Sequence, residues 1–179
     1  MNARIYGSPD PRPVHDFQRS LEVSKTYVNA PWWEAVYRQA FPTLQSMQSV
    51  NEAGWAQSAG IDRLLILKGG KVLQVDEKVR PKDWGDVLLE YWSDQEHKRP
   101  GWIAKDLACD YIAYAYVETQ RCLLLPFPTL RVAWDRYRAD WVRDYKRIEA
   151  RNNGYTTISV AVPQDVLFTA LRDCMIIQW

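Results

Sequence analysis

Apolar residues in this chain recur at helical spacing near both ends and at strand spacing through the middle. Residues 1–13 are polar and Pro-containing and read as a flexible N-terminal arm. A first helix is predicted from about Val14 to Ser24. A second is predicted to begin near Asn29, an N-cap residue with Pro31 in the first turn. It carries Trp32, Trp33, Val36, Tyr37 and Ala40 at helical spacing, and Pro42 should end or kink it. After Gly60 the period changes. Ile61 to Leu67 is a short apolar run, Lys71 to Val79 alternates, and Lys68-Gly69-Gly70 between them predicts a β-hairpin.

Further strands are expected at Val87 to Trp92, Asp110 to Val117 and Arg121 to Leu125, the last two forming a second hairpin. The charged stretch Asp94 to Gly101 reads as a loop. A long helix is predicted from about Thr129 to Glu149, with Leu130, Trp134, Tyr137, Trp141 and Tyr145 on one stripe and Asn152-Asn153-Gly154 as its stop. Thr156 to Val162 is expected as the last strand, followed by a short helix from Pro163 to about Leu171. Helices before, between and after a mainly β centre predict an α/β fold: a mixed sheet of four to six strands flanked by helices, in one domain spanning residues 14–179.

Composition narrows the function classes only modestly. The 179 residues, 47% apolar and 25% charged, are those of a soluble globular protein. A net charge of +1 argues weakly against a nucleic-acid binder, although acidic metal ligands would offset basic patches elsewhere. Three widely spaced cysteines without a CxxC pair argue against a disulfide framework or a structural zinc site, making the cytoplasm the expected compartment. Two histidines cannot supply a His-rich zinc site. No apolar stretch is long enough for a membrane span, and the N-terminus lacks the apolar core of a signal peptide.

The residues that suggest chemistry lie on the first hairpin. Asp76 and Lys78 are two apart on a strand and share a face, while Glu77 points the other way. Reflection about the Gly69-Gly70 turn carries position 62 onto about 77, which brings Asp62 opposite this segment. Two carboxylates and an ammonium then converge. Phosphodiester hydrolysis needs such a set: the acids hold a divalent cation, the cation acidifies a water, and a lysine orients that water or offsets developing charge. The Glu77 carbonyl can add a metal ligand.

Asp62 followed by Asp76-Glu77-Lys78 across a hairpin resembles the PD-(D/E)xK nuclease superfamily, with Ile61-Asp62 in place of the usual Pro-Asp. The runs Asp86-Val87-Leu88-Leu89-Glu90-Tyr91-Trp92-Ser93, Pro100-Gly101-Trp102-Ile103 and Asp110-Tyr111-Ile112-Ala113-Tyr114 resemble phage-type members, and the similarity covers roughly residues 30 to 170. The resemblance implies a restriction-endonuclease-like core and a Mg²⁺- or Mn²⁺-dependent nuclease acting on DNA. Asp62 and Asp76 would be its metal ligands and Lys78 its catalytic lysine; it leaves room for a homodimer. A non-catalytic module of the same fold, binding nucleic acid or a protein, is the rival reading. The family often adds an acid from its first core helix, for which Glu34 and then Glu52 are the candidates, with Gln57 as a polar substitute. Glu90, between Leu89 and Tyr91 in an apolar run, is a further candidate, and Lys105 is a candidate phosphate contact.

Each feature also has a plainer reading. Asp76-Glu77-Lys78 suits a solvated strand face, and Glu34 suits a helix surface. The basic residues Arg131, Arg136, Arg138, Arg143, Lys146, Arg147 and Arg151 interleave with Asp135, Asp140, Asp144 and Glu149, which favours ion pairs along the helix over a DNA-facing surface. Trp32 and Trp33 cannot share one helix face, so one of them is a candidate for exposure and for stacking on a base.

Overall fold

The computed structural model describes residues 26–50, 53–171 and 175–179. The expected arm, the helix at 14–24 and Glu52 lie outside these residues, as does the side chain of Gln57. In chain order the elements are α1 (Trp32–Ala40), β1 (Leu44–Ser49), α2 (Gly54–Ala59), β2 (Arg63–Leu67), β3 (Val72–Arg80), β4 (Asp86–Asp94) and β5 (Arg99–Pro100). A 3-10 turn (Trp102–Ala104) follows, then β6 (Tyr111–Tyr116), β7 (Arg121–Pro126), α3 (Phe127–Asp144), β8 (Arg147–Asn152), β9 (Tyr155–Pro163), α4 (Gln164–Ala170) and β10 (Met175–Gln178). The fold is mixed α/β. Within the described helices none is long and apolar enough to cross a membrane.

The strands form two sheets rather than the single sheet expected. One has the order β1-β2-β3-β6-β7-β10 and the other β5-β4-β9-β8. Within the larger sheet β3 and β6 are parallel, with Asp76 opposite Ile112 and Lys78 opposite Tyr114. A parallel pair needs a long crossover. Here the chain runs through β4, β5 and the 3-10 turn before returning to β6, so the crossover supplies a wall facing β3.

Alternation along the strands sorts the core into two layers. Ala113, Ala115, Cys122, Leu124 and Val75 face α1, where Trp33, Val36 and Tyr37 are fully buried. Ile112, Tyr114, Leu123 and Leu125 face the other way, against Val87 and Leu89 of β4, Val160 and Val162 of β9, and the α3 stripe. Leu130, Trp134 and Trp141 are buried in that second layer, and Tyr137 packs at its edge, as the helical spacing predicted. Cys109 and Cys122 are buried thiols without a disulfide.

Four expectations about the elements change. The stretch Asp94 to Gly101, expected as a loop, carries β5, whose Pro100 and Arg99 pair with Trp92 and Asp94. Asn29 does not cap α1, which starts after Pro31 without a side-chain cap. The predicted helix to Glu149 ends at Asp144, and Arg147–Asn152 is a strand paired with β9. Tyr145 is already extended, and Asn153-Gly154, with Gly154 at φ +86°, forms the two-residue turn of a hairpin between Asn152 and Tyr155. Pairing with the apolar strand β9 overrides the helical propensity of Arg147–Asn152. Finally, β9 is not the last strand: β10 follows and pairs with β7, and β1 adds an edge strand beyond β2.

Candidate active site

The chain reaches the site through Gly60, whose φ of +66° lies where side chains are rarely tolerated. A Cβ at this position would also press on Leu107. The Ile61 N–H donates to the Ala56 carbonyl at 2.9 Å and the Asp62 N–H to the Val75 carbonyl at 2.9 Å, which seats Asp62 just before β2. Arg63 pairs with Val75, so Asp62 lies opposite Asp76, one residue from the position reflection predicted. Its carboxylate accepts the Glu77 N–H at 2.8 Å.

Asp76 and Lys78 project from β3 onto the same face, joined by an ion pair. Asp76 is buried and Lys78 half-buried. Both line a cleft of about 710 Å³ with Gly60, Ile61 and Asp62, closed on the other side by Leu88 and Glu90 of β4, Ser159 of β9, Trp102, Lys105 and Leu107. Tyr114, beside Lys78 in the parallel register, belongs to the wall and accepts the Leu88 N–H at 3.2 Å, tying the two sheets together.

Burial pushes the Asp76 carboxyl up to about 7; Lys78 opposes the rise and Asp62, near enough to share a hydrogen bond, adds to it. Burial disfavours the Lys78 charge, yet Asp76, Asp62 and Glu90 outweigh it and hold the ammonium above its ordinary value. Glu90 is raised by burial against the pull of Lys78, Lys105 and the Trp102 N–H. Gly101 makes this close approach of the crossover feasible, since a Cβ there would overlap the Glu90 carbonyl.

Glu77 points away from the cleft. Its carboxylate accepts the Tyr37 hydroxyl at 2.7 Å and pairs with the buried guanidinium of Arg63, which also donates to the Val28 carbonyl at 2.6 Å. The side chain of Glu77 is thereby committed to the far side of the sheet, and only its backbone remains for the cleft. Glu34 is not brought to the site: it is exposed on α1 and paired with Arg38 at 2.8 Å. Gln57 lies on α2, two residues before Ala59. Lys105 is exposed at the cleft rim, and its carbonyl accepts from Arg131. The acids of α3 pair with Arg143 alone among the described ion pairs of that helix.

Sequence reasoning missed the Arg63–Glu77–Tyr37 network. Its signal was an arginine inside the apolar run Ile61 to Leu67, the same signal that marked Glu90. It missed Ser159 and Tyr114 because strands distant in sequence bring them to the cleft.

Among the described residues no group of three or more His, Cys, Asp or Glu side chains converges to hold a metal. The donor set is the Asp62–Asp76 pair with the Glu77 carbonyl. Mg²⁺ commonly keeps several waters and takes one or two carboxylates, so the pair fits it. Two neighbouring acids sharing one lysine are also the electrostatic situation that a divalent cation relieves. Comparison with protein-family models, curated proteins and solved structures found no match to this chain.

Proposed function

We propose that this chain is a metal-dependent nuclease that hydrolyses DNA phosphodiester bonds, with a restriction-endonuclease-like core centred on the β2–β3 hairpin. The observation that carries this reading is that Asp62, Asp76 and Lys78 line one cleft, with Glu90 on its opposite wall. Asp62 and Asp76 would hold Mg²⁺ or Mn²⁺, with the Glu77 carbonyl as a further oxygen. When bound, the cation supplies charge to the phosphate and acidifies a water. Lys78 offers an ammonium, held protonated by its acidic neighbours, to orient that water or to offset charge on the phosphoryl oxygens. Hydrolysis takes a proton from the entering water and gives one to the leaving oxygen. The Glu90 carboxyl, raised by burial, is suited to carry a proton in that exchange.

Charge supports the same reading. The cleft's carboxylates Asp62, Asp76 and Glu90 face Lys78, Lys105 and Arg80, and Arg80 is already paired with Asp86. Without a cation the cleft offers a phosphate little attraction; a divalent ion would reverse that.

The full-length protein with Mg²⁺ or Mn²⁺ is expected to cleave at least one of linear duplex, single-stranded and branched DNA, and chelation should stop it. Asp76→Asn should abolish cleavage. Lys78→Ala should lower turnover by roughly 10²-fold, the scale of one electrostatic stabiliser, and leave metal affinity largely unchanged. Calcium should support binding but little cleavage. No cleavage of any substrate, or equal cleavage by Asp76→Asn, would overturn the reading. A second reading, a non-catalytic module of this fold that binds nucleic acid or a protein, is favoured by one observation: each cleft acid of the hairpin already has a partner, Asp62 in the Glu77 N–H and Asp76 in Lys78. Tight DNA binding without cleavage in either metal would select it.

A further inference from the structure

We infer that the cleft takes a single DNA strand, whose unpaired bases stack on Trp55 and Trp84 beyond its two ends. The inference deepens the nuclease reading by naming the strand form, and it rests on that reading for the chemistry of the cleft.

Trp33, Trp102, Trp134 and Trp141 are buried, whereas Trp55 is 60% and Trp84 66% exposed. Each lies close in the chain to a residue that lines the cleft. Trp55 lies on α2 beside Ala56, whose carbonyl accepts the Ile61 N–H, which places it at the Gly60–Asp62 end of the cleft. At the other end Arg80 lines the cleft, and Trp84 follows four residues later. Between Asp76 and Arg80 the strand rises about 13 Å.

The Trp84 loop is firmly held. Asp83 accepts the Gly85 N–H at 2.9 Å, the Gln164 side-chain amide at 3.1 Å, the Thr119 hydroxyl at 3.1 Å and the Arg121 guanidinium at 3.0 Å. An indole displayed on a backbone so anchored loses little freedom when a flat ring covers it. The Lys82 ammonium lies over one face of the Trp84 ring, 5.5 Å from its centre, which leaves the opposite face to receive a base.

Aromatic platforms on which successive bases stack hold single strands without sequence readout; here the cleft between them attracts phosphates once a divalent cation offsets Asp62, Asp76 and Glu90. A duplex keeps its base faces stacked on one another and cannot offer them to the indoles. The cleft volume of about 710 Å³ is that of a small-ligand pocket, room for a short stretch of one strand.

The test is fluorescence anisotropy with a labelled oligothymidylate of about 12 nucleotides, in calcium buffer so that cleavage does not intervene, against a hairpin duplex of equal charge. The parent should bind the single strand more tightly. Trp55→Ala and Trp84→Ala should each weaken that binding by about 5- to 150-fold, the scale of one lost base–aromatic stack, with thermal melts unchanged. Trp55→Phe and Trp84→Phe should recover most of the loss. Equal affinity for the duplex, no measurable binding of the single strand, or alanine variants that bind like the parent would each overturn the inference. Its failure is separable from that of the nuclease reading, which is decided by cleavage in Mg²⁺ or Mn²⁺ whatever the strand preference.

Discussion

At Arg63 a guanidinium only 4% exposed is held by Glu77 on the face of the sheet opposite the cleft. The consequence reaches the site through the backbone, because the Glu77 N–H that orients Asp62 belongs to the same residue whose carboxylate Arg63 grips. Breaking a buried pair by removing one partner leaves an uncompensated charge and typically costs about 3–5 kcal/mol. Arg63→Met is therefore expected to lose stability on that scale in urea titrations. Replacing both partners, Arg63→Met with Glu77→Leu, should recover a good part of it, leaving the Tyr37 hydroxyl as the remaining unpaired group. If the double variant were no more stable than the single, packing rather than charge would account for the loss.

Gly101 shows how a single missing atom positions a wall of the cleft. Its N–H donates to the Tyr91 carbonyl at 2.9 Å, and no Cβ can be placed there without striking the Glu90 backbone. Overpacking of this kind costs about 1–3 kcal/mol. Gly101→Ala should lower the denaturation midpoint accordingly, and Gly54→Ala, where a Cβ meets nothing, serves as the control for a glycine replacement.

On the scale of elements, α3 is secured by aromatic packing. Trp134 lies against Tyr91 and Trp141, with ring centres 5.9 and 6.3 Å apart, and Tyr137 stacks on Trp141 at 5.7 Å. Trp134→Ala or Trp141→Ala should cost about 3–5 kcal/mol, as for other large buried aromatics cut to alanine. Melts matching the parent would show that the stripe does not contribute to the core. Where α3 ends was decided elsewhere. Arg147–Asn152 carries Ile148 and Ala150 at strand spacing as well as charges at helical spacing, and the local pattern permits both. The partner strand β9, with Ile158 and Val160 buried, resolves the ambiguity.

For the molecule as a whole, the two sheets meet at β4 and β6. The Tyr116 hydroxyl donates to the Asp86 carbonyl at 2.7 Å, and Arg80 pairs with the Asp86 carboxylate. A cation bound between Asp62 and Asp76 would join β2 and β3 and so stabilise the folded chain in proportion to its occupancy. Adding Mg²⁺ should raise the melting temperature of the parent in a concentration-dependent way, chelator should reverse the rise, and Asp76→Asn should not show it. A parent protein whose melt ignores Mg²⁺ and Mn²⁺ alike would argue against a resident metal.

The hairpin and the placement of its charged side chains could be read locally. Strand alternation alone puts Asp76 and Lys78 on one face and Glu77 on the other, and a tight Gly69-Gly70 turn leaves Asp62 little choice of partner, since antiparallel register is a matter of counting from the turn. The α3 stripe and the β6–β7 hairpin were legible for the same reason: their periods are written within one element. The division into two sheets was not legible, nor was the wall formed by Glu90, Ser159 and Trp102, nor the pairing of Arg63 with Glu77 and Tyr37. Each depends on contacts between segments far apart in the chain. Such contacts are chosen by packing, by burial of charge with its partner, and by a crossover that must return the chain parallel to β3. The sequence by itself determined which side chains one strand presents together; the tertiary structure decided what faces them, because only folding brings β4, β6 and β9 to the same cleft.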